Sequence, residues 1–181
     1  MGLTSTVYNF DIELSDVDRG VFETLALRVA CHPSESDEYF LTRVLAYCLE
    51  FTEGLEFGKG LSDPDEPALA VRDLTGILRV WIDIGSPDAR RLHKASKAAP
   101  RVVVYTHKDP AVVLRQLEGE KIHRAEHMEL RSVDREFLAA FVAHLERRTK
   151  FALSVTDGHL YLTIGGETLT GVVERHPIGG R

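Results

Sequence analysis

Apolar and polar residues alternate at the two ends of the chain and bunch together in its middle. Residues 4–13 predict a strand with Tyr8, Phe10 and Ile12 on one face. Residues 21–30 predict a second, with Leu25, Leu27 and Val29 alternating, and the turn between them ends at Gly20. A helix over 16–29 competes, because Ser15 and Asp18 imitate a capping box; Gly20 and the β-branched residues favour strand. Next comes a helix with Ser34 as its cap and Glu35, Asp37 and Glu38 in its first turn. Leu41, Leu45 and Cys48 recur there at helical spacing, widened by Phe40, Val44 and Phe51, to about Thr52.

Leu55–Gly58 and Ala68–Arg72 read as short strands around a proline-rich loop. Ile77–Ile84 is nearly all apolar, with Leu78, Val80, Ile82 and Ile84 on one face and Ile77, Trp81 and Asp83 on the other. That pattern predicts a strand covered on both sides. Ser86 and Pro87 then look like the cap and first position of a helix ending near Pro100. Val102–Thr106 is a further buried strand, parallel to the last by the strand–helix–strand order. Pro110–Leu117 predicts a helix, 122–131 an extended segment, and Asp134–Arg148 an amphipathic helix around Phe137, Phe141 and Leu145. Two or three strands fill 150–174, with turns at Asp157-Gly158 and Gly165-Gly166, before a frayed tail from His176. The class is α/β: a mixed sheet with flanking helices and extra antiparallel strands from both termini. No linker divides residues 1–181, so one domain is expected.

Charge and cysteines narrow the function. Twenty-two Lys and Arg against 28 Asp and Glu leave a net charge of −6, so any grip on nucleic acid needs a local basic patch. Cys31 and Cys48 form no CxxC pair, and Cys48 falls on an apolar stripe. No apolar run is long enough to span a bilayer and no signal peptide is evident, so a cytoplasmic protein without membrane or obligate protein partner is expected. Met1–Thr6 fits the loose myristoylation pattern, but the same segment opens a strand.

Asp83 is the most informative residue. An ionised carboxylate on a doubly covered strand costs several kcal/mol, on the order of a buried ion's desolvation, unless a cation or donors compensate it. Capping the following helix is its plain alternative role. Glu38 continues the Leu41–Leu45 stripe by one turn and is expected to face inward, or else to border water at the core's edge. In the loop Asp63–Pro67, carboxylates stiffened by two prolines can present oxygens to a hard cation, although acidic loops are commonly just solvated. Residues 35–66 are strongly acidic, whereas 86–101 carry Arg90, Arg91, Lys94, Lys97 and Arg101. A metal beside a phosphate suits such a contrast. Arg90, Lys94 and Lys97 share one helix side, which also suits an ordinary solvated face; Lys94, on the flank, can reach over the sheet end. His123 and His127 lack the order of a zinc helix.

Three segments carry a family resemblance: Ala30-Cys-His-Pro-Ser-Glu35; Lys59-Gly-Leu-Ser62 with Asp65-Glu-Pro67; and Trp81–Asp88 with Arg90-Arg91 and Lys94-Ala95. Together they resemble the bacterial YaeQ family over the whole chain. The resemblance implies a variant PD-(D/E)XK nuclease-like fold, whose helix–three strands–helix–strand core corresponds to about residues 34–106 here. Carried over, Asp65 or its neighbour Glu66 resembles the first acid and Asp83 the second. The sequence departs from the motif in placing Gly85, not lysine, two residues after Asp83; Lys94 resembles a lysine migrated to the next helix, and Glu38 an extra helix acid. Ser34 and Glu35 accompany these through their motif.

The resulting expectation is a metal-dependent phosphodiesterase acting on nucleic acid. Asp65, Asp83 and Glu38 would hold Mg²⁺ or Mn²⁺, Lys94 would assist the attacking water or the developing charge, and Arg90, Arg91 and Lys97 would position the backbone. The alternative is a non-catalytic nucleic-acid-binding or regulatory module, linked to transcription, on the same fold. A small-molecule phosphate enzyme is a third, weaker reading.

Overall fold

In the computed structural model, which describes residues 4–59 and 63–179, the chain builds one ten-stranded mixed sheet. The elements run β1 (Thr6–Asp16), β2 (Val21–Cys31), α1 (Asp37–Leu49), β3 (Leu55–Phe57), β4 (Leu69–Arg72), β5 (Leu78–Ile84), α2 (Ala89–Ala98), β6 (Arg101–Thr106), α3 (Pro110–Leu117), β7 (Glu129–Val133), α4 (Arg135–Val142), β8 (Arg148–Thr156), β9 (His159–Ile164) and β10 (Glu167–Pro177). Their order across the sheet is β2-β1-β8-β9-β10-β7-β6-β5-β4-β3.

The long strand β10 joins two halves of different character. Its first part pairs with β9 and its last residues with β7. On one side, β1, β2, β8 and β9 have a single covered face. Phe10, Ile12 and Leu14 of β1 and Phe151, Leu153 and Val155 of β8 point inward, and their neighbours along the strand mostly face out. Strict alternation in the sequence encodes this. Gly171 in β10 permits a close approach: a Cβ there would come within 2.6 Å of the Phe137 side chain.

On the other side, β5, β6 and β7 run parallel and are covered on both faces. Ile82, Ile84, Val103 and Tyr105 enter the core shared with α1 and α4; Trp81, Val102, Val104 and Leu130 pack beneath α2 and α3. Edge-to-face contacts between Phe151 and both Phe10 and Phe141 lock the first core, and such pairs add about 0.5–1.5 kcal/mol beyond area burial.

The helix–three strands–helix–strand order is present as α1-β3-β4-β5-α2-β6. Several boundaries differ from expectation. The cap of α1 is Ser36, whose Oγ accepts from the Tyr39 backbone N–H at 3.1 Å; Ser34 instead bonds the His32 ring at 2.6 Å. The cap of α2 is Asp88 rather than Ser86, because its carboxylate reaches the Arg91 N–H at 2.8 Å. Only the last four residues of β5 are buried: pairing with β6 begins at Val80, and Ile77 is 54 % exposed. The helix expected over 134–148 stops at Val142, since β8 starts at Arg148. Within 122–131, Ala125–His127 forms a 3₁₀ turn, and the strand begins only at Glu129. The expected frayed tail is still β10 as far as Pro177. The start of the Met1–Thr6 pattern and the Gly-Leu-Ser of the Lys59–Ser62 motif lie outside the described residues. Among those described, no helix is long and apolar enough to cross a membrane.

Candidate functional site

The parallel strands β5 and β6 end on the same side, and the chain leaves each into a helix. Crevices beyond the carboxyl ends of such strands are where open α/β sheets bind ligands. A cleft of about 510 Å³ lies there. Its walls are Ser34–Ser36 and Tyr39 from the start of α1, Asp63, Pro64 and Ala68 from the acidic loop, Asp83–Pro87 and Arg91 around the β5–α2 turn, and His107 and Lys108 after β6.

Asp83 forms the floor and is 2 % exposed. Both its oxygens are taken by Arg91, with Nε donating to Oδ2 at 2.7 Å and Nη2 to Oδ1 at 3.0 Å. The same guanidinium donates to the Glu66 carbonyl oxygen at 2.6 Å and to that of Pro64. Its centre lies 5.4 Å from the Trp81 ring, a cation–π contact. Arg91 thus ties β5, α2 and the acidic loop together. The sequence reading gave it to substrate; the structure commits it to protein.

Lys94 pairs with Asp65, not with Asp83. Both side chains are more than half exposed, and Lys94 holds the Asp65 carboxyl below the usual carboxylate range, first by hydrogen bonding and then by charge. Glu38 is exposed and borders a separate depression next to His107, Lys108 and Arg135. Helical spacing alone placed it inward, but α1 extends past the core at this end and burial begins at Phe40. The Glu35 side chain is only 1 % exposed and is spent on Arg43, whose Nη2 lies 3.0 Å from Oε2 and also donates to the Ala30 carbonyl oxygen. Glu66 contributes its backbone oxygen. Arg90 and Lys97 are exposed on the outer face of α2.

The structure therefore brings Asp83 and the backbone of the acidic loop together around one guanidinium, and leaves Glu38 apart. Among the described residues, no three His, Cys, Asp or Glu side chains are arranged to hold a metal ion. Asp83 and Asp65 each face a cation already, so in this arrangement the residues do not fit bound Mg²⁺ or Mn²⁺.

Three cleft residues had escaped the sequence reading. His107 follows β6; its Nδ1 is buried without a partner, and burial, helped by the Lys108 charge, pushes its pKa below the usual histidine value. Lys108 donates to the Ser86 hydroxyl at 3.0 Å. Tyr39 lies edge-on to His107, and burial, reinforced by Glu35, raises its phenol to about 12, so it remains a donor. For His107 and Lys108 the available signal was position alone, directly after a buried parallel strand. Gly85 also finds its reason here. It has a φ of +87°, a backbone conformation in which a lysine is strained, while a Cβ would make only ordinary contact, at 3.4 Å, with the Tyr39 ring.

Fold and site define a mixed α/β protein with a polar cleft at the ends of parallel strands. The comparisons give its family. The model of the YaeQ protein family matches residues 1–172, and the chain belongs to that family. It is 31 % identical to the YaeQ protein of Escherichia coli (strain K12) over 164 residues, 90 % of this chain and 91 % of that one. The crystal structure of the YaeQ protein from Xanthomonas axonopodis pv. citri matches with a TM-score of 0.86 at 32 % identity, covering 96 % of this chain and 98 % of the other. That from Pseudomonas syringae matches at 0.85 and 30 %, over 94 % and 95 %. Family membership brings no activity with it, so function is argued from the site.

Proposed function

We propose that this protein binds nucleic acid through its phosphate backbone, as a non-catalytic or regulatory module on a nuclease-like fold. The observation that carries the reading is the state of the charges around the cleft. Asp83 and Asp65 are neutralised from within, while Lys108 in the cleft wall and Arg90 and Lys97 on the outer face of α2 are left for a ligand. Arg90 and Lys97 form no ion pair among the described residues, and Lys108 meets only a hydroxyl. Serine and tyrosine hydroxyls at the mouth suit phosphate oxygens. The overall charge of −6 confines attraction to this patch.

The test is oligonucleotide binding by fluorescence anisotropy across a salt series, with EDTA present. Backbone binding predicts that log K falls linearly with log salt, and that Arg90→Ala and Lys97→Ala each lower the slope by about one. Binding that is indifferent to salt, or unchanged in both variants, would overturn it.

A second reading, a metal-dependent phosphodiesterase, is favoured by one observation: Asp83 and the loop carrying Asp65 and Glu66 do meet, through Arg91. It requires Arg91 to leave Asp83, and it predicts cleavage of DNA or RNA in Mg²⁺ or Mn²⁺ that Asp83→Asn abolishes. Lys94→Ala should then reduce turnover far more than Lys97→Ala, its neighbour on the same helix. Equal losses from both would make Lys94 one more phosphate contact.

A further inference from the structure

The position occupied by the Arg91 guanidinium is lined by four oxygens and nothing else it bonds: both carboxylate oxygens of Asp83 and the carbonyl oxygens of Pro64 and Glu66. One carboxylate with backbone carbonyls from a tight loop is the donor chemistry of a hard divalent cation. The loop is braced for that shape. Pro64 and Pro67 limit its freedom, and the Asp63 carboxylate accepts the Asp65 backbone N–H at 2.9 Å. Trp81 closes one side of the site.

We propose that Arg91 is a built-in replacement for a divalent cation. Its guanidinium fills an oxygen-lined cation site, keeps the cleft assembled without metal, and bars Mg²⁺ or Mn²⁺ from that site in the native protein. Removing the side chain then opens that position to a hard divalent cation, held by Asp83 and the two carbonyls. A guanidinium suits the four acceptors because its planar fork donates along several directions at once, whereas an ammonium could not serve the carboxylate in bidentate fashion. One carboxylate against one arginine is neutral; against a divalent cation, whose remaining positions take water, it leaves one positive charge, so the arginine is the better-balanced occupant.

The experiment is thermal unfolding of the native protein, Arg91→Ala, Asp83→Asn and Arg91→Ala/Asp83→Asn. Each is melted in EDTA, in about 10 mM MgCl₂ or MnCl₂ at matched ionic strength, and in about 10 mM guanidinium chloride. The native protein should shift by less than about 1 °C between EDTA and Mg²⁺. Arg91→Ala should melt lower in EDTA and recover about 3–6 °C with Mg²⁺ or Mn²⁺, as expected for millimolar affinity in a domain of this size. Guanidinium ion, which restores the missing group in pieces, should raise Arg91→Ala alone. The double variant should respond to neither.

A Mg²⁺-dependent rise in the native protein that Asp83→Asn removes would overturn the proposal, since metal and arginine would then coexist. So would an Arg91→Ala protein whose melting ignores all three ions. If Arg91→Ala does not accumulate folded, Arg91→Gln, which keeps a donor for Asp83 but no charge, carries the same expectation and the same refutation. Nucleic acid takes no part in these melts, so their outcome is separable from that of the binding assay.

Discussion

Of the buried carboxylates that arginines hold, Glu50 and Asp83 differ most instructively in what lies beside them. Glu50, at the end of α1, is 8 % exposed and gathers Arg101 at 2.9 and 3.0 Å, Tyr105 at 3.0 Å and Arg131 at 3.4 Å. Arg131 in turn bonds Tyr105 at 2.9 Å and Glu129 at 2.9 Å. The members come from the end of α1, β6 and β7, and a hollow bordering Tyr105 and Arg131 measures about 70 Å³. Asp83 has one arginine, and beside it opens a cleft of about 510 Å³. A buried ion pair by itself is a weak indicator of function, because structural networks bury charge as well. What separates the two is room for a ligand and a lysine, Lys108, left over in the cleft wall.

The comparison breaks first at Glu50. Glu50→Gln keeps the shape but removes the charge that two arginines share, leaving the mostly buried Arg131 against a neutral amide while Arg101, 42 % exposed, retains contact with water. A loss of about 3–5 kcal/mol in urea unfolding is expected. A loss below about 1 kcal/mol would make this cluster no more than a surface arrangement.

At Asp83 the expected effect is smaller, because Arg91 keeps its two carbonyl partners. Asp83→Asn should cost about 2–3 kcal/mol, and the Asp83→Asn and Arg91→Ala costs should overlap in the double variant rather than add. Additive losses would mean that the two residues do not act as one unit.

How much of this was legible in the sequence follows the same division. Alternation in β1, β8 and β9 was readable because each strand has one wet face. The order of elements from α1 to β6 was readable because helical stripes and apolar strands differ in period. Asp83 was readable as an acid out of place on an apolar strand. Its partner was not. Arg91 sits three residues past the cap of α2, where periodicity sees another basic residue on a polar face, and only the three-dimensional return of the loop at Pro64 and Glu66 gives it four acceptors. Glu38 failed for the opposite reason: helical phase specifies direction but not whether the core extends that far along the axis. His107 and Lys108 became visible only once β6 was known to end beside β5.

Lys108 sharpens the comparison from the ligand side. It is exposed, and the only described bond of its ammonium is to the Ser86 hydroxyl. Lys108→Ala should leave stability within about 0.5 kcal/mol while weakening oligonucleotide binding and lowering the salt slope by about one. Arg135→Ala, farther along the depression that Glu38 borders, is the control expected to leave that slope alone.

The smallest expected effect is a pH dependence that belongs to the cleft and not to the Glu50 cluster. His107 titrates below the usual 6.5 in the folded protein, chiefly because burial disfavours the imidazolium and secondly because of the Lys108 charge; Glu38 opposes this only in part. A base whose folded pKa is depressed takes up its proton more readily when unfolded, so between the folded value and 6.5 the unfolded state binds more protons. Stability from this group is complete above 6.5 and is lost as pH falls toward the folded value. Replacing the ring by a neutral side chain, His107→Gln, should therefore flatten that part of the curve. The measurement is the urea midpoint of native and variant proteins at several values between about pH 5 and 8, where the difference between the two should change in the acidic part of the range and level off above 6.5. A difference that is constant with pH would show that the ring titrates as it does in water, and that the cleft does not desolvate it. A change confined to pH above 6.5 would carry the opposite sign of linkage and point to an imidazolium stabilised by Glu38 instead.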